Sequence, residues 1–194
     1  MKVLGLTGGI GMGKSTSAQL LRERGVPVVD TDDLAREIVL PGRPALGEIQ
    51  KIFGESIVGP DGQLRRDELA RIVFTDPEAR KKLEAILHPR IRECWRAQIE
   101  AWRNERRQLA VVVIPLLYET NAENDFDAVL CAACSAATQR QRLLTRGWAE
   151  NEIEQRIAAQ LPATEKMTRA NYVIWTEAGL DTHAAQLDRI LRGL

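Results

Sequence analysis

Val3-Leu4-Gly5-Leu6-Thr7 runs straight into Gly8-Gly9-Ile10-Gly11-Met12-Gly13-Lys14-Ser15-Thr16, and the architecture follows from how that junction is read. A short apolar segment ends in glycines. Ser15 to Arg24 then carries Ala18, Leu20 and Leu21 at the spacing of a helix with one buried face. The stretch predicts a strand, a glycine turn and a helix in immediate succession. Gly8, four residues, then Gly13-Lys14-Ser15 is the Walker A spacing, and its flanks are the ones that motif requires. Glycines let the backbone curl closely around an anion with its N–H groups pointing inward, and the following helix adds a positive N-terminal end. On this reading Gly8, Gly11, Met12 and Gly13 cradle the phosphates of ATP through their backbone. Lys14 reaches the β- and γ-phosphates, Ser15 ligates Mg²⁺, and Thr16 meets the α-phosphate.

Outward from the turn, Val26 to Val29 reads as a second buried strand ending at Asp30, and Asp32 to Val39 as a helix stopped by Pro41-Gly42. Strand signals then vanish. Leu46, Ile49, Ile52 and Phe53 form one helical face, Leu69, Ile72, Val73 and Phe74 another, and Leu83, Ile86, Leu87, Ile91 and Trp95 a third. Turns are expected at Gly59-Pro60-Asp61-Gly62 and at Asp76-Pro77, and His88-Pro89 reads either as a ligand contact or as a helix end, since the residue before a proline is pushed out of helical geometry.

Strand character returns at Ala110 to Ile114, where three valines and an isoleucine suit the centre of a parallel sheet, and again at Ala128 to Ala132. Thr138 to Arg146 and Glu150 to Gln160 read as helices, Tyr172 to Trp175 as a last strand, and Leu180 to Leu191 as a closing helix. Alternating strands and helices predict an α/β, P-loop NTPase-type three-layer fold with a parallel sheet of five strands. The core is expected at 1–43 and 109–194, a small lid near 140–166, and a helical insertion at 44–108.

Composition narrows the function classes. The 194 residues are 44% hydrophobic and 28% charged, enough apolar material for a core. Lys plus Arg and Asp plus Glu both number 27, so no global charge draws the chain to nucleic acid or anionic lipid. Three cysteines make no disulfide framework, and the odd count suits a reducing compartment. Leu109 to Tyr118, the longest apolar run, is interrupted by Pro115 and is far shorter than the ~20 residues of a spanning helix. A cytoplasmic protein with no membrane or nucleic-acid partner, most simply a monomer, is expected.

Other candidates carry competing readings. Asp32 lies at the carboxyl end of the second strand, where open α/β sheets place ligands; a carboxylate there can orient or deprotonate an acceptor hydroxyl. The same Asp30-Thr31-Asp32 stretch is equally suited to capping a helix. Arg142 and Arg146 share a helix face and suit a phosphoryl clamp, although a solvated cationic face uses the same letters. Arg140 is the weaker member of that group. Glu119, after the third strand, suits metal-bound water or an acceptor group. Cys131-Ala132-Ala133-Cys134 has half the spacing of a zinc site but no second pair, so Cys131 reads as a core cysteine in its strand.

Neither Asn-Lys-x-Asp nor Asp-x-x-Gly, the GTPase signatures, occurs in the chain. A small-molecule kinase is the natural remaining class. In order along the chain, several segments resemble the dephospho-CoA kinase family: Gly5 to Gly11 leading to Gly13-Lys14-Ser15, Val29-Asp30-Thr31-Asp32 with Ala35-Arg36, Pro41-Gly42, and Phe53-Gly54. The resemblance continues through Leu83 to Pro89, Ile114 to Glu119, Thr138-Gln139 with Arg142 and Arg146, and Arg156 to Gln160. It implies transfer of the ATP γ-phosphoryl to the ribose 3′-hydroxyl of dephospho-CoA, with Mg²⁺, and a CoA-binding role for the insertion. It also implies catalytic roles for Lys14, Asp32 and Arg142, nucleotide contact from Arg146, and substrate contacts from Thr7, Asp32, His88, Leu116 and Glu119.

The chain departs from the family pattern at Met12, where a small residue is usual, at Arg65, where an acidic residue is common, and at Trp175-Thr176, where Asp-Asn is usual near adenine. Two alternatives stay open at this point. One is a kinase for another small acceptor such as shikimate or a nucleoside, the first of which the lack of a Gly-Gly-Gly triplet opposes. The other is a nucleotide-binding regulatory module without transfer activity.

Overall fold

In the computed structural model, which describes residues 1–194, Lys2–Thr7 forms β1 at the centre of the sheet. Its side chains alternate between faces, as a strand's must. Leu4 and Leu6 join one core with Ala18, Leu20 and Leu21, together with Val111, Val113, Leu130 and Leu187. On the opposite face Gly5 is needed for space: a methyl there would come within 2.5 Å of Leu117 and 3.0 Å of Phe126. β1 lies between β3 (Leu109–Val113) and β4 (Ala128–Ala133). β2 (Val28–Asp30) and β5 (Tyr172–Trp175) form the edges, giving a wholly parallel order β2-β3-β1-β4-β5. The helices are α1 (Lys14–Glu23), α2 (Thr31–Glu37), α3 (Pro44–Phe53), α4 (Arg66–Thr75) and α5 (Pro77–Asn104). They continue with α6 (Ala136–Thr145), α7 (Glu150–Ala158), α8 (Ala163–Arg169) and α9 (Leu180–Arg192).

The five-stranded parallel sheet and its flanking helices are as expected, and most boundaries fall within two residues of the sequence reading. The second strand starts later than expected. Val26 N–H donates to Leu21 O and so finishes the turn out of α1, while Pro27 has no N–H for the ladder, which begins at Val28. α8 was not expected, because seven mostly polar residues between Pro162 and Ala170 are too few to show a helical period.

Of the two readings of His88-Pro89, the helix end does not occur. α5 continues through Pro89 for 28 residues. Pro89 is exposed, and so is Ala85, whose carbonyl loses its helical partner to the proline; Arg90 Nη1 donates to Ile86 O at 2.7 Å in the adjoining turn. Asp76-Pro77 is a boundary, as expected: Asp76 Oδ1 accepts from Glu78 N at 2.8 Å and Ala79 N at 3.2 Å, and proline occupies the first helical position.

The chain divides into two compact units, 1–30 with 101–194, and 31–100. The second is helical and has its own core of Val39, Ala45, Ile49, Ile57, Leu69 and Ile86. Ile38 and Val39 pack with that core, which places the segment after β2 in the helical unit, ahead of the boundary expected at 44. The far boundary falls inside α5, so its last residues belong with the sheet. No helix is long and apolar enough to cross a membrane.

Candidate active site

β1 delivers the chain to the glycine turn at the carboxyl edge of the sheet, where neighbours β3 and β4 depart to opposite sides. This is the switch point at which open α/β sheets bind ligands. Gly8 has φ 145°, and a methyl there would lie 2.2 Å from Ala132 O, so no side chain fits. Gly13 has φ 93° and opens α1 in a left-handed conformation that favours glycine. Lys14 Nζ donates to the carbonyls of Gly8 at 2.8 Å and Gly9 at 3.0 Å, folding its ammonium over its own loop. Ser15 and Thr16 are exposed at the start of α1.

Side chains from later in the sequence brace this loop. Ile10 N–H donates to Gln160 Oε1 at 3.0 Å, and Gln139 Nε2 donates to Ile10 O at 2.7 Å. Thr176 Oγ1 donates to Met12 O at 3.1 Å. Arg142 Nη1 donates to Thr176 Oγ1 at 2.8 Å and Gly11 O at 3.4 Å, and Nη2 donates to Thr176 O. Met12 itself is buried, which explains how a bulky residue is housed in the loop. A recess of about 240 Å³ opens beside Gly13, lined by Thr16, Arg142, Arg146, Thr176 and His183 among others.

At the departing Trp175-Thr176 position, the Thr176 side chain is committed to Arg142 and Met12. Trp175 Nε1 donates to Glu177 Oε2 at 3.1 Å. Hydrogen bonds from Ser135 and then Thr138 pull the Glu177 carboxyl down to about 2.

A second group of candidates lies at the ends of β1 and β3. Thr7 Oγ1 donates to Pro115 O at 3.2 Å. The same carbonyl accepts from Lys166 Nζ at 2.7 Å, and Lys166 Nζ is also 2.7 Å from Glu119 Oε1. Leu116 is half-buried in the intervening segment. Tyr118 is buried, with its hydroxyl pushed up to about 12 chiefly by desolvation. Cys131 is a core residue whose thiol burial raises to about 11, and no cluster of three or more His, Cys, Asp or Glu side chains could hold a metal.

The structure therefore gathers Gly8, Gly11, Met12, Gly13, Lys14, Ser15, Thr16, Arg142 and Arg146 around one loop and its recess. Thr7, Leu116 and Glu119 lie along the same sheet edge. Asp32 and His88 belong to the helical unit. Asp32 is exposed in the first turn of α2, which begins directly after β2 with no loop between them. His88 lies within α5, and desolvation lowers its pKa. Sequence reasoning missed Thr176 and Gln139 as braces and Lys166 altogether; a lone lysine in a polar stretch carries no signal of burial.

The chain matches the family model "CoaE: Dephospho-CoA kinase" over residues 2–182. It belongs to the dephospho-CoA kinase family. A dephospho-CoA kinase of Anaeromyxobacter dehalogenans is 46% identical over 195 residues, spanning 100% of this chain and 92% of that relative. The crystal structure of TT1252 from Thermus thermophilus is 37% identical with a TM-score of 0.83, covering 100% of this chain and 97% of that one. The dephospho-CoA kinase from Campylobacter jejuni shares the fold at 23% identity, with a TM-score of 0.73 over 98% of this chain and 95% of that one. Dephospho-CoA kinases are ATP-dependent transferases, which accounts for a glycine cradle at the switch point of this sheet.

Proposed function

We propose that the chain transfers the γ-phosphoryl group of ATP to the ribose 3′-hydroxyl of dephospho-CoA, the last step in coenzyme A synthesis, with the following division of labour. The observation that carries it is the cradle itself: a methyl-excluding Gly8, a left-handed Gly13, and a Lys14 ammonium already folded over the loop. Lys14 exchanges its carbonyl partners for β- and γ-phosphate oxygens, a stronger, charge-assisted interaction. Thr16 takes the α-phosphate. Arg142 and Arg146, which line the adjoining recess, add positive charge against the triphosphate.

The donor set fits Mg²⁺ held through substrate. With no carboxylate or histidine cluster present, Ser15 Oγ would be the protein ligand, and phosphate oxygens and waters would complete the shell. Bound there, the ion would neutralise charge on the β- and γ-oxygens. Asp32, two residues beyond the end of β2, orients the acceptor hydroxyl or takes its proton. Thr7, Leu116, Glu119 and His88 contact the acceptor, and the helical unit supplies much of its binding surface. The segment 140–166 acts as a lid, excluding water so that positioning and charge do most of the catalysis. The working form is a cytoplasmic monomer.

The test is direct. The purified protein is given Mg·ATP with dephospho-CoA, shikimate or nucleosides, and the phosphorylated product is identified by mass. Only dephospho-CoA should gain a phosphoryl group. Lys14→Met should lower turnover by at least about 100-fold, the scale set by losing one preorganised charge contact, while leaving the circular dichroism spectrum unchanged. Normal turnover by that variant would sink this assignment, and transfer to shikimate or a nucleoside would replace the acceptor.

A further inference from the structure

Lys166 is the one lysine in the chain that is both fully buried and ion-paired to a residue at the catalytic edge. Its side chain is 0% exposed, and its Nζ meets two acceptors at 2.7 Å, Pro115 O and Glu119 Oε1. Placing an ammonium group out of water is costly, and a buried ion pair is weak evidence of added stability. The partners show what this one does instead. Pro115 lies two residues beyond the end of β3, and its carbonyl also accepts from Thr7 Oγ1 at the end of β1. Glu119 Oε1 also accepts from Leu161 N at 2.8 Å. The neighbouring Gln160 in turn receives the Ile10 N–H of the phosphate loop.

One buried ammonium thus joins the residue before the loop, the segment after β3 and the Gln160-Leu161 strap. Glu119 is held through a single oxygen, Oε1, which takes both Lys166 and Leu161. Its side chain remains 21% exposed, and its second oxygen, Oε2, is the atom left to meet a ligand.

We infer that Lys166 is a positioning residue for the transfer reaction: it fixes Glu119 by one oxygen so that the other is presented at the sheet edge to the acceptor. The inference deepens the proposed function and rests on its assignment of Glu119 to the acceptor. It explains why a lysine is spent in the interior. A neutral side chain would leave Pro115 O with Thr7 alone and Glu119 Oε1 with Leu161 N alone, a weaker hold from which the carboxylate turns more readily to water. A carboxylate misplaced by an ångström at a reacting centre costs on the order of 100-fold in rate.

The experiment is a double-mutant cycle on the full chain with Lys166→Met, Glu119→Leu and the double variant, measured with Mg·ATP and dephospho-CoA. The expected result is a fall in kcat/KM for dephospho-CoA of about 100-fold in each single variant, with KM for ATP changed less than about threefold. The double variant should be no worse than Glu119→Leu alone, since residues that act as a unit do not add. Lys166→Met removes the ammonium that Glu119 Oε1 and Pro115 O share and is the variant at risk of not folding. The double variant has neither charge, so its comparison with Glu119→Leu supplies the decisive number if the single lysine variant is lost. Losses that multiply, or an equal loss in nucleotide binding, would make Lys166 a general structural residue and overturn the inference. If Glu119→Leu turns over dephospho-CoA normally, the acceptor role of Glu119 fails and the inference falls with it. If Glu119→Leu is impaired but a folded Lys166→Met is not, only the inference falls.

Discussion

Ser17 has one hydroxyl proton and two partners. Its Oγ lies 3.2 Å from Gly13 O, a carbonyl of the phosphate loop, and 2.9 Å from His183 Nε2. A carbonyl can only accept, so the hydroxyl proton goes to Gly13 and the imidazole donates from Nε2, which makes Nε2–H the tautomer of the neutral ring. The surroundings agree: desolvation, and then the charge of Arg142, lower the pKa of His183, which is only 3% exposed. In the unfolded chain a histidine titrates near 6.5. Between the lowered folded value and about 6.5 the unfolded state binds more protons, so stability is fully present above pH ~6.5 and is lost as pH falls below it. Urea unfolding from pH 7.5 to 5 should show that decline, with a limiting slope of about 1.4 kcal/mol per pH unit per histidine. His88 shifts in the same direction, so His183→Gln, which keeps a donor for Ser17, should flatten the slope without abolishing it. An unchanged slope would mean that His183 is not buried neutral. The residue scale is also where sequence reading was least complete. Lys14, Ser15 and the glycines were legible because the motif states the backbone geometry they need. Thr176, Gln139 and Lys166 were not, because each acts across 34 or more positions of sequence on a partner nothing local announces.

Strands and the helices with an apolar face were the most legible elements, since alternation, helical periodicity and glycine boundaries are local signals. The long helix was not. A helix end is one reading of Pro89, yet α5 spans Pro77–Asn104. Local chemistry at Pro89 opposes helix by about 3 kcal/mol, and the packing of Ile86 on one side and of Trp95 and Ile99 on the other outweighs it. That conflict predicts a gain. Pro89→Ala restores the N–H and removes the ring clash, worth about 3 kcal/mol, while loosening the unfolded chain costs about 1 kcal/mol of it. The net expectation is a stabilisation of about 2 kcal/mol, read as a higher urea midpoint at unchanged slope. A loss of stability would show that the proline ring itself is required by the packing of the helical unit. Activity in the same variant is informative, because His88 precedes the proline. A raised KM for dephospho-CoA at unchanged KM for ATP is the outcome if the proline sets how His88 meets the acceptor.

For the whole molecule, the sequence made the core and the helical block legible. The boundaries at 30 and 100 were not, because packing of Ile38 and Val39, rather than any Pro-Gly signal, draws the first, and the second falls inside the continuous helix α5. Each unit has its own core, and the phosphate loop, its braces and the recess all belong to 1–30 with 101–194. Nucleotide should therefore bind and stabilise the protein without any acceptor present. A ligand that binds only the folded state at 100 times its Kd adds about 2.7 kcal/mol. For a chain of this length each kcal/mol raises Tm by about 2–4 °C, so Mg·ATP should raise it by about 5–10 °C. Hydrogen exchange should locate the added protection around residues 8–17 and at Thr176 and His183. Lys14→Met should lose most of the shift, because the ammonium that meets the phosphates is gone while the fold that houses them remains. If Lys14→Met kept the full shift, or if protection rose only within 31–100, the nucleotide would be bound away from the glycine turn, and the cradle would have to be read as a structural loop.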